Sequence, residues 1–510
     1  MPDIRITAGV ASAGVLVEGP LGAKHRGSWL VAVRKSYLQY ILSRGTTDPS
    51  IAFGFFDTQG RLTYDLSRSH NISLNVIDGF SGLDRSSARA RLGVNSILNA
   101  SYHFTLANLG WRYSPGERFL VTTRAAYLRE KFSDMNPFDS SLGQGQYGEW
   151  VALTNATWMW GARAPLEFGA DARRLRDETA SQVYNANRTF RIQDRDRGRG
   201  IVTGGYVQQS WSSRGGRLHL AAGGRSDWGS VDGIHVFSPY ASLAVAPLAS
   251  TRLQLGFGQY AQFPELNKLF SLFGNRRLLP ERSTHFVAAI EQRFGDRTRV
   301  RVEAYERQDR DLIFQPLFDP RLIGGRIFNP PANPMYYNSL KGYARGVEFL
   351  LQRRSANRLT GWVSYALGYA RERDGIAHIV FPADLDQRHT VNVYGGYRVS
   401  PSVNVSVKWL YGSGLPLPGF YQLIGPNYFL LDQRNALRLK PYQRTDARIN
   451  KVWPRDKWKI TLYGELLNLT NRSNYRFDSY DNYNNRTGQV SLTLDKMFPI
   501  LPTAGIVIER

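Results

Sequence analysis

LGFGQYAQFPELNKLFSLFGNRRLLPERSTHFVAAIEQRFG, from Leu255 to Gly295, is the stretch whose reading decides the fold. It begins as a strand of small and aromatic residues and breaks at Phe263-Pro264, because proline cannot donate to a central ladder. A loop with its own apolar residues follows. The chain re-enters a strand after Leu279-Pro280-Glu281-Arg282-Ser283.

The same alternation of strand and turn runs outward in both directions. Upstream, strands are expected over residues 51–67, 71–80, 97–113, 118–132, 149–160, 166–175, 201–211, 217–227, 235–246 and 252–262. The signals between them are Ser114-Pro115-Gly116-Glu117, Gly161-Ala162-Arg163, Ser213-Arg214-Gly215-Gly216 and Pro247. Downstream the period of two is clean. Val403, Val405, Val407, Trp409 and Tyr411 point one way, and Asn404, Ser406 and Lys408 the other. Trp458, Ile460, Leu462 and Leu466 oppose Lys459, Thr461, Tyr463 and Glu465. Val300, Val302 and Ala304 oppose Arg299, Arg301, Glu303 and Tyr305, and Val347, Phe349 and Leu351 oppose Glu348 and Gln352. A period of two means strands, not helices.

A soluble sandwich would show the same pattern, so connection lengths decide. Short turns at Gly295-Asp296, Ser355-Ala356-Asn357, Ser400-Pro401 and Pro454-Arg455-Asp456 alternate with long polar loops near 311–345, 372–388, 412–444 and 471–487. Compact soluble domains seldom carry several loops that long. Short turns at one end and long loops at the other describe an all-β transmembrane antiparallel barrel, with short periplasmic turns and long extracellular loops.

Composition agrees. The 510 residues are 42% hydrophobic and 13% aromatic with 48 Gly, yet no apolar run is long enough for a membrane helix. That is the balance of strands apolar on one face only. The absence of Cys excludes disulfides and thiolate metal sites. The net charge of +23 raises nucleic-acid binding, but the arginines are dispersed from end to end without a recognisable motif, so no nucleic acid is expected. Lumen, rim or anionic-lipid contacts are better homes for them. Residues 6–17 form an apolar run that reads as a strand rather than a signal peptide.

Three segments together resemble the barrel of TonB-dependent outer-membrane receptors. In that family a strand ends in an aromatic-x-Pro-x-Leu-x-x-Leu-Phe/Tyr element, followed by a loop and Leu-x-Pro-Glu-x-Ser. Phe263, Pro264, Leu266, Leu269 and Phe270, then Leu278, Pro280, Glu281 and Ser283, stand in those places, without the usual Arg before Pro264. The first hairpin is similar to PDIRITAGVASAGVLVEGPLG and GSWLVAVRKSYLQYIL, with a turn at Glu18-Gly19-Pro20 and the positions Arg34, Ser36 and Tyr37. The closing segment matches Arg444 and Asp446, then Asn468, Leu469 and Asn471, then Phe498, Pro499, Pro502 and Gly505 before the last strand.

The resemblance spans nearly all of residues 1–510 and implies one barrel of about 22 strands, an even number that closes without edges. It implies uptake of a large, scarce ligand: a siderophore, cobalamin, a glycan or a peptide. In the family a plug and an export signal precede the first hairpin. Neither precedes it in these residues, so the inner-membrane TonB energy complex is a partner only if a plug lies upstream. Outer-membrane lipid and the barrel-assembly machinery are the other implied partners, in the outer membrane of a Gram-negative-type bacterium. Family members usually end in an aromatic residue that this machinery recognises, whereas here the last residues are Glu509-Arg510. A plugless passive porin and a surface-binding barrel, an adhesin or phage receptor, are the alternatives.

The search for chemistry is mostly negative: no nucleophile elbow, zinc-protease or phosphate-loop motif is present, and the eight His are scattered. No catalytic, metal or cofactor residue is expected. In FPADLDQRHT, Asp384 and Asp386 beside His389 could be a catalytic pair, but the family reading is a loop re-entry element. Asp478, Tyr480, Asp481, Asn482 and Tyr483, in DSYDNYNN, are candidate ligand contacts of an extracellular loop, by oxygen ligation of Ca²⁺ or by sugar or peptide contact. If the Val, Trp and Leu faces meet lipid, then Arg299, Arg301, Glu303, Glu348, Gln352, Asn404, Lys408, Lys459 and Glu465 face the lumen. A cation facing lipid at the midplane would cost about 2–4 kcal/mol.

Overall fold

The computed structural model describes residues 2–22, 26–38, 53–185, 189–354 and 357–510, the side chains of residues 87, 88, 91 and 481 excepted. Residues 51–52 and 355–356, part of an expected strand and an expected turn, lie outside the described residues.

Twenty-two antiparallel strands form a closed barrel. The first, Asp3–Gly9, pairs on one side with Ser12–Leu21 and on the other with the last, Leu501–Glu509. Closure leaves no edge to be satisfied by water. At one end the connections are short: two residues at 117–118, 162–163, 249–250 and 401–402. Gly216 (φ +65°) and Gly295 (φ +60°) take the left-handed conformation two such turns require. At the other end lie the long connections, including 263–280, 315–336, 413–441 and 468–500.

The wall is uneven. Asn99–Gly116, Phe119–Met135, Ser141–Gly161, Ala164–Tyr184 and Phe190–Ser212 run 18, 17, 21, 21 and 23 residues. At about 3.3 Å per residue the longest spans roughly 75 Å, far more than a bilayer core needs even when tilted. These strands therefore rise past the membrane on the long-loop side.

The two faces of the sheet are chemically distinct. Leu74, Leu109, Val207, Leu255, Phe286, Val347, Val407 and Leu462 are exposed on one face, and the strand register brings them into contiguous rows. Aromatic groups edge this band. His70, Trp111 and Tyr113 stack with centroids 4.6–5.9 Å apart near the short turns, and Tyr127 meets Trp150 at 4.5 Å toward the loops. An apolar outer band between aromatic girdles is what lipid selects.

Several boundaries differ from the expected ones. Glu18-Gly19-Pro20 is not a turn: Pro20 pairs with Ser28 inside Ser12–Leu21, and the pairing continues to Leu21 opposite Gly27. Pro20 is tolerated because Asp3 opposite Glu18 begins the neighbouring strand, which leaves that side of Pro20 unpaired. The strand Asn99–Gly116 absorbs Ser114-Pro115-Gly116 through a register shift. Pro502 and Gly505 lie within the last strand rather than before it. The loops near 412–444 and 471–487 are not featureless. Tyr421–Ile424, Asn427–Leu430, Tyr475–Tyr483 and Gln489–Lys496 form a four-stranded sheet over the barrel mouth, so the Gln489–Lys496 segment does not belong to the wall.

Candidate functional site

The inner face of the wall is identified by what lies against it. The loop 263–280 turns into the barrel, and its single helical turn, Leu266–Phe270, packs on Gly198 and Gly200. Leu266, Leu269 and Leu278 are buried there with Leu175, Val231, Ile313 and Tyr336. A Cβ on Gly198 would stand 2.8 Å from the Phe270 ring and 2.9 Å from Leu266, so only glycine admits this approach. Glu281 fixes the return by accepting the Ile313 amide at 2.7 Å, and Ser283 donates to Asp309 at 2.6 Å.

Beneath this loop is a cavity of about 620 Å³, lined by Tyr147, Asp171, Arg173, Asp177, Arg225 and Asp227 with Glu265 and Leu266 above. Its arginines are paired. Arg173 donates to Glu149 at 2.6 Å, and Arg225 bridges Asp171 at 2.7 Å and Asp227 at 2.6 Å. The arrangement offers several hydrogen-bonding groups to a polar ligand of mixed charge, with apolar contact from Leu175, Leu266 and Leu269. Sequence reasoning missed these residues. Asp171 and Arg173 alternate with Ala170 and Ala172 within an expected strand, which was the available signal; the covering loop was not readable.

The nine expected lumen residues lie on this inner face, in two groups. Arg299 donates to Gln352 at 2.8 Å and reaches Glu291 at 3.5 Å. Arg301 pairs with Glu303 and donates to Gln254 at 2.6 Å, and Glu348 stands opposite Glu303. Around the wall, Lys459 pairs with Glu509 at 2.5 Å and Glu465 with Arg448 at 3.7 Å; Lys408 is opposite Asp446, and Asn404 opposite Asn450. The structure does not bring these residues together with the cavity under 263–280. Part-exposed pairs of this kind contribute about 0–1 kcal/mol each, so they set the polarity of the lumen more than its stability.

Above the lumen the loops build a cap with its own core. Leu417, Tyr421, Leu430 and Val490 are buried, with Ile327, Tyr480, Tyr483 and Leu492 packed against them. Arg434 ties three loops together. Its guanidinium meets Asp384 at 2.6 Å and Asp319 at 3.5 Å and lies 5.0 and 4.9 Å from the Phe314 and Phe381 ring centroids. Asp386 is the second tie. It is fully buried and accepts the Ala370 amide at 2.8 Å, Arg371 at 3.1 Å and Arg438. Burial alone would push this carboxyl up; the Ala370 amide, Arg438 and Arg371 outweigh it and hold it below the usual range. Asp384, Asp386, Arg388 and His389 are thus loop ties rather than a catalytic pair: His389 bonds Tyr365 at 3.0 Å, away from both carboxylates.

The expected ligand contacts near 478–483 need correction in part. They sit on the strand Tyr475–Tyr483, not a loop tip, and Tyr480 and Tyr483 face the cap core. Tyr483 donates to Asn329 at 2.9 Å, Asp478 accepts Ser479, and Asn482 accepts the Tyr483 amide. The Asp481 side chain lies outside the described residues. Among the described residues no group of three or more His, Asp or Glu converges on a metal site.

The motif positions act as locks. Ser36 donates to the Ala11 carbonyl at 3.1 Å and Tyr37 to that of Gly9, fastening the connection 10–11, while Arg34 pairs with Asp57 at 2.8 Å. Asn468 (φ +52°) and Asn471 (φ +48°) adopt the left-handed turn that Asn tolerates. Buried Asn468 donates to Arg472 at 3.0 Å and Phe498 at 2.9 Å, and its amide donates to Asp446 at 3.0 Å. The Leu469 amide donates to Thr445 at 2.7 Å, and Gly505 leaves room for the Tyr463 hydroxyl.

A closed 22-stranded barrel with an apolar outer band, a polar lumen, an inward-folded loop and a capped mouth defines a large outer-membrane receptor barrel. Residues 33–469 match the family described as TonB dependent receptor-like, beta-barrel, and the chain belongs to it. Barrels of this family are outer-membrane proteins of Gram-negative bacteria. The fold is shared with the siderophore receptor PirA of Acinetobacter baumannii (TM-score 0.72, 12% identity, all of this chain and 80% of that one). It is shared also with the FrpB iron transporter of Neisseria meningitidis (0.71, 13%, all of this chain and 81%). The ferric-catecholate import receptor Fiu of E. coli K12 is similar as well (0.70, 10%, all of this chain and 81%). No curated protein matches the chain in sequence.

Proposed function

We propose that this chain is the outer-membrane barrel of a receptor for energised uptake of a siderophore-sized iron chelate. The observation that carries the reading is the mouth: a four-stranded cap tied by Arg434 and Asp386 stands over a polar lumen. A passive pore gains nothing from such a cap, whereas a receptor needs a preformed surface to select a scarce ligand before committing it inward. The siderophore and iron receptors of the same fold support the ligand class. The inner residues Arg299, Arg301, Glu303, Glu348, Gln352, Asn404, Lys408, Lys459 and Glu465 would line the path, and the cavity at Asp171, Arg173 and Arg225 would be a second polar stop.

The test is equilibrium binding of a panel of ferric siderophores, cobalamin, oligosaccharides and peptides to the detergent-purified chain, followed by intrinsic tryptophan fluorescence. Saturable binding of one ferric chelate, lost on removing residues 413–441, is expected. Saturation by cobalamin or a glycan alone would replace the ligand class. Steady large conductance in a bilayer with no ligand bound would replace the receptor reading by the passive pore.

A further inference from the structure

On one side of the barrel the outer face changes character along the strands, and the register shows it row by row. In one row Leu74, Leu109, Ala125, Ala152, Ala172 and Thr203 are adjacent across six strands. Two residues nearer the loops the row reads Val76, Ala107, Tyr127, Trp150, Arg174, Ile201. The next is Asp78, Thr105, Arg129, Gly148, Arg176, Arg199, and the next Phe80, His103, Lys131, Gln146, Glu178, Arg197. Apolar, aromatic and then cationic rows follow one another within about 20 Å.

These cations point outward. Asp196, Gly198 and Gly200 face the loop inside the barrel, so Arg197 and Arg199 face away from it, and both are exposed. Arg129, Lys131, Arg174 and Arg199 are exposed and have no side-chain hydrogen bond or ion pair among the described residues. Arg176 has only Glu178, at 3.0 Å, with both side chains well exposed. Gly148 leaves an open notch between Arg129 and Arg176, which stand two strands apart, about 10 Å. On the opposite wall the comparable outward Arg345 is balanced by Glu306 at 3.1 Å.

Toward the short turns from this cationic patch the outer face holds a groove of about 600 Å³. Its floor is small, Ala156, Ala170 and Gly224, and its sides are Phe168, Val207 and Phe237. Ala170 lies four residues along the strand from Arg174, about 13 Å. A cationic patch above an apolar groove, at the level where aromatic side chains mark the membrane boundary, fits a molecule with an anionic head and a hydrocarbon tail.

We propose that this face is a binding site for phosphate-bearing lipids of the outer leaflet, with phosphates on Arg129, Arg174, Arg176 and Arg199 and an acyl chain in the Ala170–Phe237 groove. It accounts for part of the +23 net charge that the paired lumen does not use. An annular lipid held there would brace the tall strands where they leave the membrane. The inference rests on the outer-membrane reading, and the experiment separates the two.

The full chain is inserted into phosphatidylcholine vesicles containing lipid A, a diphosphorylated glycolipid, or its dephosphorylated form. The lipid retained per barrel is then measured by native mass spectrometry after gentle solubilisation. Insertion and heat-modifiable gel mobility report the membrane barrel; failure of the wild-type chain to insert would overturn that reading and the site with it. With insertion intact, the phosphorylated lipid is expected to be retained selectively. At about fivefold per charge, Arg129→Gln/Arg174→Gln/Arg176→Gln/Arg199→Gln should weaken retention by about 10² or more. The corresponding four Lys substitutions should restore most of it, and the inner-face pair Arg112→Gln/Arg124→Gln should leave it unchanged. Arg174→Gln/Arg199→Gln, a milder change, should lose about 25-fold. Equal retention by the Gln variants, equal retention of the dephosphorylated lipid, an equal loss from the inner-face pair, or displacement by inorganic phosphate or a soluble acidic polysaccharide would each overturn the proposal.

Discussion

Replacing Arg434 by Met should open the cap without opening the barrel. The guanidinium is 6% exposed, and Asp319 beside it is 14% exposed, so removing the cation strands a buried carboxylate. Breaking a buried pair in this way costs about 3–5 kcal/mol. The Asp384 contact adds little, because that side chain is 48% exposed and can rehydrate. Loss of the contacts to Phe314 and Phe381 adds about 1–2 kcal/mol together. The sum, about 4–7 kcal/mol, corresponds at tenfold per 1.4 kcal/mol to a rise of about 10³-fold or more in the open population. Hydrogen exchange reads it at the amides of Leu417, Leu431 and Asn435, which donate to Leu437, Phe420 and Gly419 across the cap. Their protection should fall by about that factor while amides of Thr251–Gln262 in the wall stay unchanged. Arg434→Lys should fall between, since it keeps the charge but not the fork. A change of less than about tenfold in Arg434→Met would refute the claim that this residue ties the loops together.

Three other outcomes follow from the same geometry. Gly198→Val should push Leu266–Phe270 off the wall, because even a Cβ meets Phe270 at 2.8 Å; a rise in single-channel conductance relative to wild type checks it. Asn468→Ala should destabilise the barrel by about 2–4 kcal/mol, from a strained left-handed Ala and two part-buried carbonyls that lose this donor, as read by denaturant unfolding in detergent. The Asp386 carboxyl lies below its ordinary value in the folded cap, so its contribution is complete above the unfolded value near 4 and is lost as pH falls through the lower folded one. Near-ultraviolet circular dichroism of the cap should therefore hold to about pH 4 and decline below it, and Asp386→Asn should remove this acid step.

How much of this was legible depended on how many chemistries a strand has to satisfy. Where a strand meets lipid on one side and lumen on the other, as at Val403–Gly412, the alternation is clean and the strand can be read directly. The upper part of Phe190–Ser212 could not be read this way. Its outward residues are Arg197 and Arg199 and its inward ones are Asp196 and Gly198, so nothing alternates in hydropathy although the strand continues. The cap strands were hidden for a related reason: Tyr480 and Tyr483 pack on residues from distant loops, a context no local window contains. The stretch 255–295 gave away its break at Pro264 and its re-entry at Glu281, but not that the loop between them folds inward onto Gly198. The cavity at Asp171, Arg173 and Arg225 was lost with it.

The seam where the first and last strands meet runs only from Arg5 opposite Glu509 to Gly9 opposite Gly505, while the ladder between Ala164–Tyr184 and Phe190–Ser212 runs almost their full length. The short ladder joins residues at opposite ends of the chain, so it is the pairing of highest sequence separation and the last whose loop entropy can be recovered. Until Leu501–Glu509 arrives, the growing sheet carries two unsatisfied edges, each able to template pairing with another chain. A nascent barrel of this kind is therefore most prone to misassembly just before it is complete, and the tall ladder, which pairs residues close in sequence, is where assembly can safely begin.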